Sequence, residues 1–520
     1  MILLNRLNMI RILLLLVCIN TSVFAQQQIY NITEFGAVAD SKTLNTSAIQ
    51  KAVNTCHANG GGIVYVPPGT FITGTLALKS NVNLHLETGA RLKGSDNLKD
   101  YLSYTIPEFG TYQYGILYTE NSNDVSITGF GEIDGNDTVF FEWDKAKKIE
   151  WGGTKYTRQK DNYRKVSSGI GDGPVTPKDR PRQMVIFSNC KNVTVRDVKL
   201  LNATFWTLHF ADCDAVNVTG IKLWTHMLAP NADGIDVTSC SNVTISNCDI
   251  RAGDDAIAIT GYATHFENPG FKNLRHLSEN IVIQNCNLQS YSSGIRIGFM
   301  DQNTVRNIHV NNVNITNSTR GIGIFLRDEG SLENITFSNI FIETKLRTGD
   351  WWGNGEPIHI SAVRGKANVK LGKIRNLKFN NIICKGENGI LLYGTAESVL
   401  EDISFNGVTF ELTDSKLNDV AGGNIDLRGV ADEKTQLFQR DIPGVLIQYS
   451  KNISINDFKL TWSNPRMLFY THGIEAHHFE NLHITNFNGN ASPANKQASR
   501  IFISNGKGFV TDNVKGVKKQ

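Results

Sequence analysis

SNVTISNCDI (241–250), ENIVIQNCNL (279–288), RNIHVNNVNI (306–315) and ENITFSNIFI (333–342) are four versions of one phrase. It also occurs as KNVTVRDVKL (191–200), VNVTGIKLW (216–224), RNLKFNNIIC (375–384), EDISFNGVTF (401–410), KNISINDFKL (451–460) and ENLHITNFNG (480–489). Aligned on the leading Asn, or Asp402 in one case, the phrase begins at 192, 217, 242, 280, 307, 334, 376, 402, 452 and 481. Most intervals are 25 to 29 residues, and the longer ones fit one turn plus an inserted loop. A fixed period of this length marks a solenoid rather than a globular α/β domain. Apolar residues alternate within each repeat, β-branched side chains are frequent, and Asn and Gly punctuate every few residues, which describes short strands joined by tight turns. Coils of this kind stacked at about 4.8 Å form an all-β fold, a right-handed parallel β-helix. The recurring Asn then has a structural role, its side-chain amide bonding from coil to coil at one turn position.

The flanking sequence fits the same object. ITEFGAVADSKTLNTSAIQKAVNTCHANGGGIVYVPPGTF (32–71) holds one short helix, Asn45 to Ala58, with an Ile49, Val53, Cys56 face, then a Gly-Gly-Gly turn and an apolar strand. It reads as the cap that the open end of a solenoid needs. The stretch from about 136 to 182 is charged, aromatic and rich in Gly and Pro, breaks the period, and is expected to be a long loop along one side, forming a wall of a groove. Residues 26–520 are expected to form a single domain.

The first 25 residues carry Arg6 and Arg11, an apolar run from Ile12 to Val17, and Val23-Phe24-Ala25 before Gln26, the pattern of a cleavable export signal. A periplasmic or secreted product is expected, and no later stretch approaches the roughly 18 apolar residues needed to span a bilayer. Cleavage lowers the formal charge from +3 to +1. So even a balance gives no basis for a nucleic-acid partner and no general field for a polyanion, and local groups must recognise any acidic ligand. Cysteines 56, 190, 213, 240, 248, 286 and 384 remain, an odd number; five of them fall beside the repeat, where small thiols pack well, and most are read as core rather than as disulfides or metal ligands.

The functional reading starts from RAGDDAIAIT (251–260). An Ile follows the leading Asn by 15 residues in three successive repeats, giving Ile257, Ile295 and Ile322, with Ile235 as the match in the preceding coil. Four rungs then read ADGIDV (232–237), DDAIAI (254–259), SSGIRI (292–297) and TRGIGI (319–324). One column contains Asp233, Asp255, Ser293 and Arg320, with Asp254 beside Asp255; a second contains Asp236, Ala258, Arg296 and Gly323. Asp233 and Asp255 therefore fall about one strand spacing apart on neighbouring coils. Acidic residues also end strands in β-helix turns, held by backbone N–H groups or by a bound cation such as Ca²⁺. Three crowded carboxylates suit acid–base chemistry as well. Like charges keep one acid protonated while a neighbour stays ionised, and hydrolysis of a glycosidic bond needs one group in each state. An extended solenoid face offers an open groove for a polymer.

EFGAVAD (34–40), GGGIVYVPPGTF (60–71), NADGID (231–236) and AGDDAIAI (252–259) together resemble glycoside hydrolase family 28, the polygalacturonase family of pectin-degrading β-helix enzymes. The resemblance implies Asp254 as general acid, Asp233 and Asp255 holding and deprotonating the attacking water, inversion at the anomeric carbon, and no cofactor or metal. It also implies a pectic polysaccharide or oligosaccharide as partner, with Asn231 of NADGID at the substrate; a monomer is expected. Two positions depart from the family. Its Gly-His-Gly motif falls on Ser292-Ser293-Gly294, so Ser293 stands at the histidine position, and its Arg-x-Lys motif falls on Gly323-Ile324-Phe325, where neither basic residue is present. Arg296, one coil earlier, and Arg327, just past the lost Lys position, are the candidates to replace that charge. The expected substrate is galacturonate-containing, with rhamnogalacturonan or another modified pectin favoured over plain homogalacturonan. His209, His226 and His265 lack metal-ligand spacing and read as structural or groove-lining, whereas Trp351-Trp352 in RTGDWWGNGEP (347–357) could stack on a sugar or block the groove. The alternatives are a non-catalytic carbohydrate-binding β-helix and a β-helix polysaccharide lyase.

Overall fold

A computed structural model describes residues 28–106, 110–147, 173–261, 277–300, 303–347, 349 and 351–520. The expected export signal and His265 lie outside these residues, as does the middle of the 136–182 loop.

One sheet of 34 strands runs from Ile29 to Lys519. Its strands pair in parallel along three ladders, and each coil contributes to all three in turn. In the coils around residue 245, Ser241–Ser246 belongs to the first ladder, Asp249–Ala252 to the second and Ile257–Thr260 to the third. The next coil supplies the first two as a single bent strand, Ser278–Ser290, and the third as Ser293–Phe299. This is a parallel β-helix. Alternation decides what it encloses: Val243, Ile245, Ile250, Ile257 and Ile259 are buried, and their counterparts above and below fill one continuous apolar core. Farther along, Phe337, Phe379 and Phe405 stack down the axis with ring centroids 5.0 and 4.7 Å apart.

The predicted register holds through the third ladder, where Ile235 pairs with Ile257, Ile257 with Ile295, and Ile295 with Ile322. The amide column is present too: the side-chain N–H of Asn280 donates to Asn242 at 3.3 Å, that of Asn307 to Asn280 at 3.1 Å and that of Asn334 to Asn307 at 3.1 Å. Each of these Asn residues has φ near +58°, the left-handed conformation that Asn tolerates better than other non-glycine residues. A second column lies five residues on, where Asn312 donates to Asn285 at 2.8 Å and Asn381 to Asn339 at 2.6 Å.

One repeat departs from the predicted alignment. Val193 pairs with Val216 and Val216 with Val243, so the counterpart of Asn192 and Asn242 is Ala215 rather than Asn217. Ala215 itself has φ +57°, and the neighbouring Asp214 accepts the Asn242 amide at 2.8 Å in place of the missing Asn.

The cap helix runs Thr46–Ala58 and buries Ile49, Ala52, Val53 and Cys56. Asn45 lies just outside it: its side chain accepts the Val38 N–H at 2.7 Å and ties the entering chain down. The seven cysteines among the described residues are buried and unbridged; Cys190, Cys213 and Cys240 occupy the same turn of successive coils, and the Cys213 N–H donates to Cys240 Sγ at 3.3 Å. From the long loop, Phe141–Ala146 pairs antiparallel with Val175–Pro177 outside the main sheet. No helix among the described residues is long and apolar enough to cross a membrane.

Candidate active site

The acids are delivered by the turns between the second and third ladders. Asp233 ends the segment after Lys222–Trp224, and Asp254 and Asp255 follow Asp249–Ala252 one coil later. Close approach of these turns requires glycine before the pair: a Cβ on Gly253 would lie 2.3 Å from the Ala229 carbonyl oxygen and 2.7 Å from that of His226. Oxygens from Asp233, Asp254 and Asp255 all lie within 4.8 Å of one another.

The three differ in surroundings. Asp255 is buried and fully engaged: one oxygen accepts the Ser292 hydroxyl at 2.8 Å and the Ser293 N–H at 3.0 Å, and the other is ion-paired with Arg296 Nε. Asp233 is also buried, with no hydrogen-bond partner for Oδ1 among the described residues. Burial, followed by the charges of Asp254, Asp236 and Asp255, pushes its pKa well above the usual carboxylate range, against the pull of Arg296. Asp254 alone is partly exposed. It accepts the Asn231 N–H at 3.1 Å, and burial together with Asp255 pushes its pKa up to about 6. Behind them Asp236 is buried, raised by desolvation, with Oδ2 unpartnered among the described residues.

These acids open onto a cleft of about 290 Å³ lined also by Lys147, Asn231, Ser293, Arg296, Arg320, Trp352 and Arg428. Of the residues singled out in the sequence, Asp233, Asp254, Asp255, Asn231, Ser293 and Arg296 therefore share one wall. Arg327 does not. Its side chain is fully buried and donates to the Leu326, Ser361 and Leu427 carbonyls and the Ser361 hydroxyl, and burial lowers its pKa to about 9. It stands behind the site as a clamp between coils.

Sequence reasoning did not assign Arg320, Arg428 or Lys147 to the cleft. Arg320 was visible in the Ser293 column and sits one coil beyond it, donating to Glu356 at 2.7 Å and to Ser293 Oγ at 3.4 Å. Arg428 arrives from an aperiodic insertion, paired with Asp426 at 2.8 Å and 5.0 Å from the Trp352 ring centroid. The cationic groups missing from the Gly323-Ile324-Phe325 strand are thus supplied from other positions, each guanidinium fixed by a carboxylate beside it. Trp352 reaches the cleft, while Trp351 is buried edge-on against Tyr291. His209 is fully buried, its pKa lowered by desolvation to about 3, and His226 packs edge-on against Trp143.

Fold and site together define a parallel β-helix with a buried acid cluster at the floor of a cationic cleft. Residues 56–349, more than half of the chain, match the family model described as glycosyl hydrolases family 28, and the chain belongs to that family. It is 31% identical over 271 residues to an exo-poly-alpha-D-galacturonosidase of Dickeya chrysanthemi, covering 46% of this chain and 43% of that protein. A probable polygalacturonase of Vitis vinifera is 27% identical over 241 residues, 44% of this chain and 43% of its own length. The chain spans about half the length of the curated relatives it matches. Among solved structures, the Yersinia enterocolitica family 28 exopolygalacturonase superposes with a TM-score of 0.64 at 18% identity, covering 88% of this chain and 78% of that one. A hyperthermoactive exopolygalacturonase from Thermotoga maritima gives 0.56 at 22% identity, covering 82% and 92%. At these identities the two structures share the fold.

Proposed function

We propose that the protein is an exported hydrolase of glycosidic bonds in a galacturonate-containing pectic polysaccharide or oligosaccharide. The observation that carries this reading is the unequal environment of the three acids: Asp254 faces the cleft with its pKa raised to about 6, while Asp233 and Asp255 lie buried beside it. Asp254 gives its proton to the glycosidic oxygen as the bond from the anomeric carbon breaks. Water, held beside Asp233, attacks that carbon, and its proton passes to the ionised member of the Asp233–Asp255 pair, Asp255, whose carboxylate the Arg296 guanidinium holds until then. The acids are closer than the roughly 6.5–9.5 Å that separates a general inverting pair. That closeness alone would suit a retaining pair, so the inversion proposed rests on a water held beside the acid by Asp233 and Asp255 taking the place of a carboxylate nucleophile, and the first anomer released decides between the two. The basic wall of Arg296, Arg320, Arg428 and Lys147 suits a substrate carrying carboxylates.

The deciding experiment incubates the protein with homogalacturonan, rhamnogalacturonan, xylogalacturonan and neutral glycans, following reducing ends and ultraviolet absorbance, with NMR of the first anomer released. Reducing ends without absorbance, and an inverted anomer, are expected on a pectic substrate. Absorbance from unsaturated uronates would establish a lyase, and binding without cleavage would establish a carbohydrate-binding β-helix.

A further inference from the structure

The acid-lined cleft is one of two hollows that meet at Asn231. The other, about 620 Å³, opens on the N-terminal side of the catalytic coils, between the strand Gly110–Gln113 and the segment 177–182. Three cationic side chains line it, Lys178, Arg180 and Arg182, against one carboxylate, the exposed Asp179. Nothing in the proposed bond cleavage uses them.

Arg180 is committed to the framework. It is buried, donates to the Pro230 carbonyl at 3.0 Å and to Asn231 Oδ1 at 3.2 Å, and so holds the residue whose N–H binds Asp254. Arg182 is different. Its guanidinium carbon lies 4.3 Å from the centroid of Tyr112 and 4.7 Å from that of Phe205, and Phe205 stacks on Trp206, a residue of the acid-lined cleft. Arg296, Arg320 and Arg428 are each ion-paired with a carboxylate. No carboxylate is ion-paired with Arg182 among the described residues. Two rings hold the guanidinium against their faces without taking up its N–H donors, an arrangement that leaves a fork ready for a planar anion.

We propose that this N-terminal arm is a distal subsite for an acidic sugar residue, with Arg182 receiving the uronate carboxylate of a unit lying away from the bond cut. The ligand class rests on the function proposed above. The arm makes the groove continuous across the acid cluster, so a longer acidic oligosaccharide engages cationic groups on both sides of it, and esterification of the distal carboxylate removes the Arg182 contact.

The test uses Asp254→Asn protein, so that ligand is not consumed, and titration calorimetry with unesterified tetragalacturonate and its fully methyl-esterified counterpart. Arg182→Gln in that background should weaken the free acid about tenfold and the ester by less than about twofold, with Arg182→Lys recovering part of the loss because it restores charge without the fork. Equal losses for the two ligands, no loss, or no binding of the free acid by protein with Arg182 intact would each overturn the subsite. Should Arg182→Gln unfold, Arg182→Lys takes its place in the same comparison, and equal losses for the two ligands, or no loss, again overturn the subsite. Hydrolysis is scored separately with Asp254 intact. A protein that cuts pectic oligomers yet binds them indifferently to Arg182 keeps the function and loses the subsite; one that binds the acid through Arg182 and releases no reducing ends keeps the subsite and loses the function.

Discussion

Two columns of side chains climb the same solenoid and obey opposite physics. On one turn the Asn amides of residues 242, 280, 307 and 334 each donate to the coil before and accept from the coil after. On another, Asp233, Asp254 and Asp255 meet across the same inter-coil spacing, but carboxylates can only accept, so the column leaves Asp233 Oδ1 unpartnered among the described residues. An amide brings donor and acceptor together and stacks indefinitely. A carboxylate stack needs a proton or a cation for every added member, and here protons on the raised Asp233 and Asp254 carboxyls and the Arg296 guanidinium fill those places. The fold thus makes stacking favourable along the amide column and concentrates the unfavourable version at the acid cluster facing the cleft.

The largest expected effect of breaking the acidic column is on turnover. Asp254→Asn should lower kcat by at least about 10³-fold while the melting temperature stays within a few degrees, because it removes the proposed proton donor and almost no volume. Reducing-end assays beside a thermal melt check both halves, and retained activity would remove Asp254 from the role of acid.

Next comes the pH dependence. The proposed donor works only when protonated, so kcat/KM should fall about tenfold per pH unit above an apparent pKa near 6, and the profile of the wild-type protein reads this directly. Stability has its own sign. Asp254 binds its proton more tightly folded than unfolded, as do Asp233 and Asp236, so folding takes up protons and stability declines as pH rises from about 4. For Asp254 the decline levels off above about 6. Asp236→Asn, which removes a buried charge, should therefore raise stability at pH 7 by on the order of 2 kcal/mol and give no gain near pH 4, as measured by denaturant titration at both pH values.

The amide column should respond more modestly. Asn307→Ala loses two inter-coil bonds and places a Cβ residue at φ +58°, costing about 1–2 kcal/mol. Asn307→Gly should cost less than Asn307→Ala, because it accepts that φ and loses only the bonds; equal losses would mean the left-handed backbone contributes nothing.

The smallest effect expected is from chelation. With Arg296 already paired to Asp255, activity after exhaustive EDTA treatment should remain within about twofold; a larger loss restored by Ca²⁺ would give the acid cluster a cation.

The period made the third-ladder register readable because coil length fixes which residues become neighbours, and that placed Asp233, Asp255, Ser293 and Arg320 in one column without any side-chain information. The same reasoning slipped at Asn217, since Asn is common at several turn positions and only hydrogen-bond register separates Ala215 from Asn217. Arg327 and Arg428 show where periodicity gives out. Arg327 follows the last residue of a strand, Arg320–Leu326, where alternation no longer sets direction, and its side chain turns under the coil toward Leu427. Arg428 comes from an insertion a hundred residues on from Asp328, outside any repeat, and no spacing in the sequence announces that it returns to the cleft.

The cysteine column sets a race during folding. Cys190, Cys213 and Cys240 are shielded once their coils close, yet before that moment they are open to oxidation like the chain's other thiols. In an oxidising medium a bridge formed early between two of them would have to fit a stack whose spacing was never set for one, and the yield of native protein should depend on how quickly these coils close relative to the oxidant.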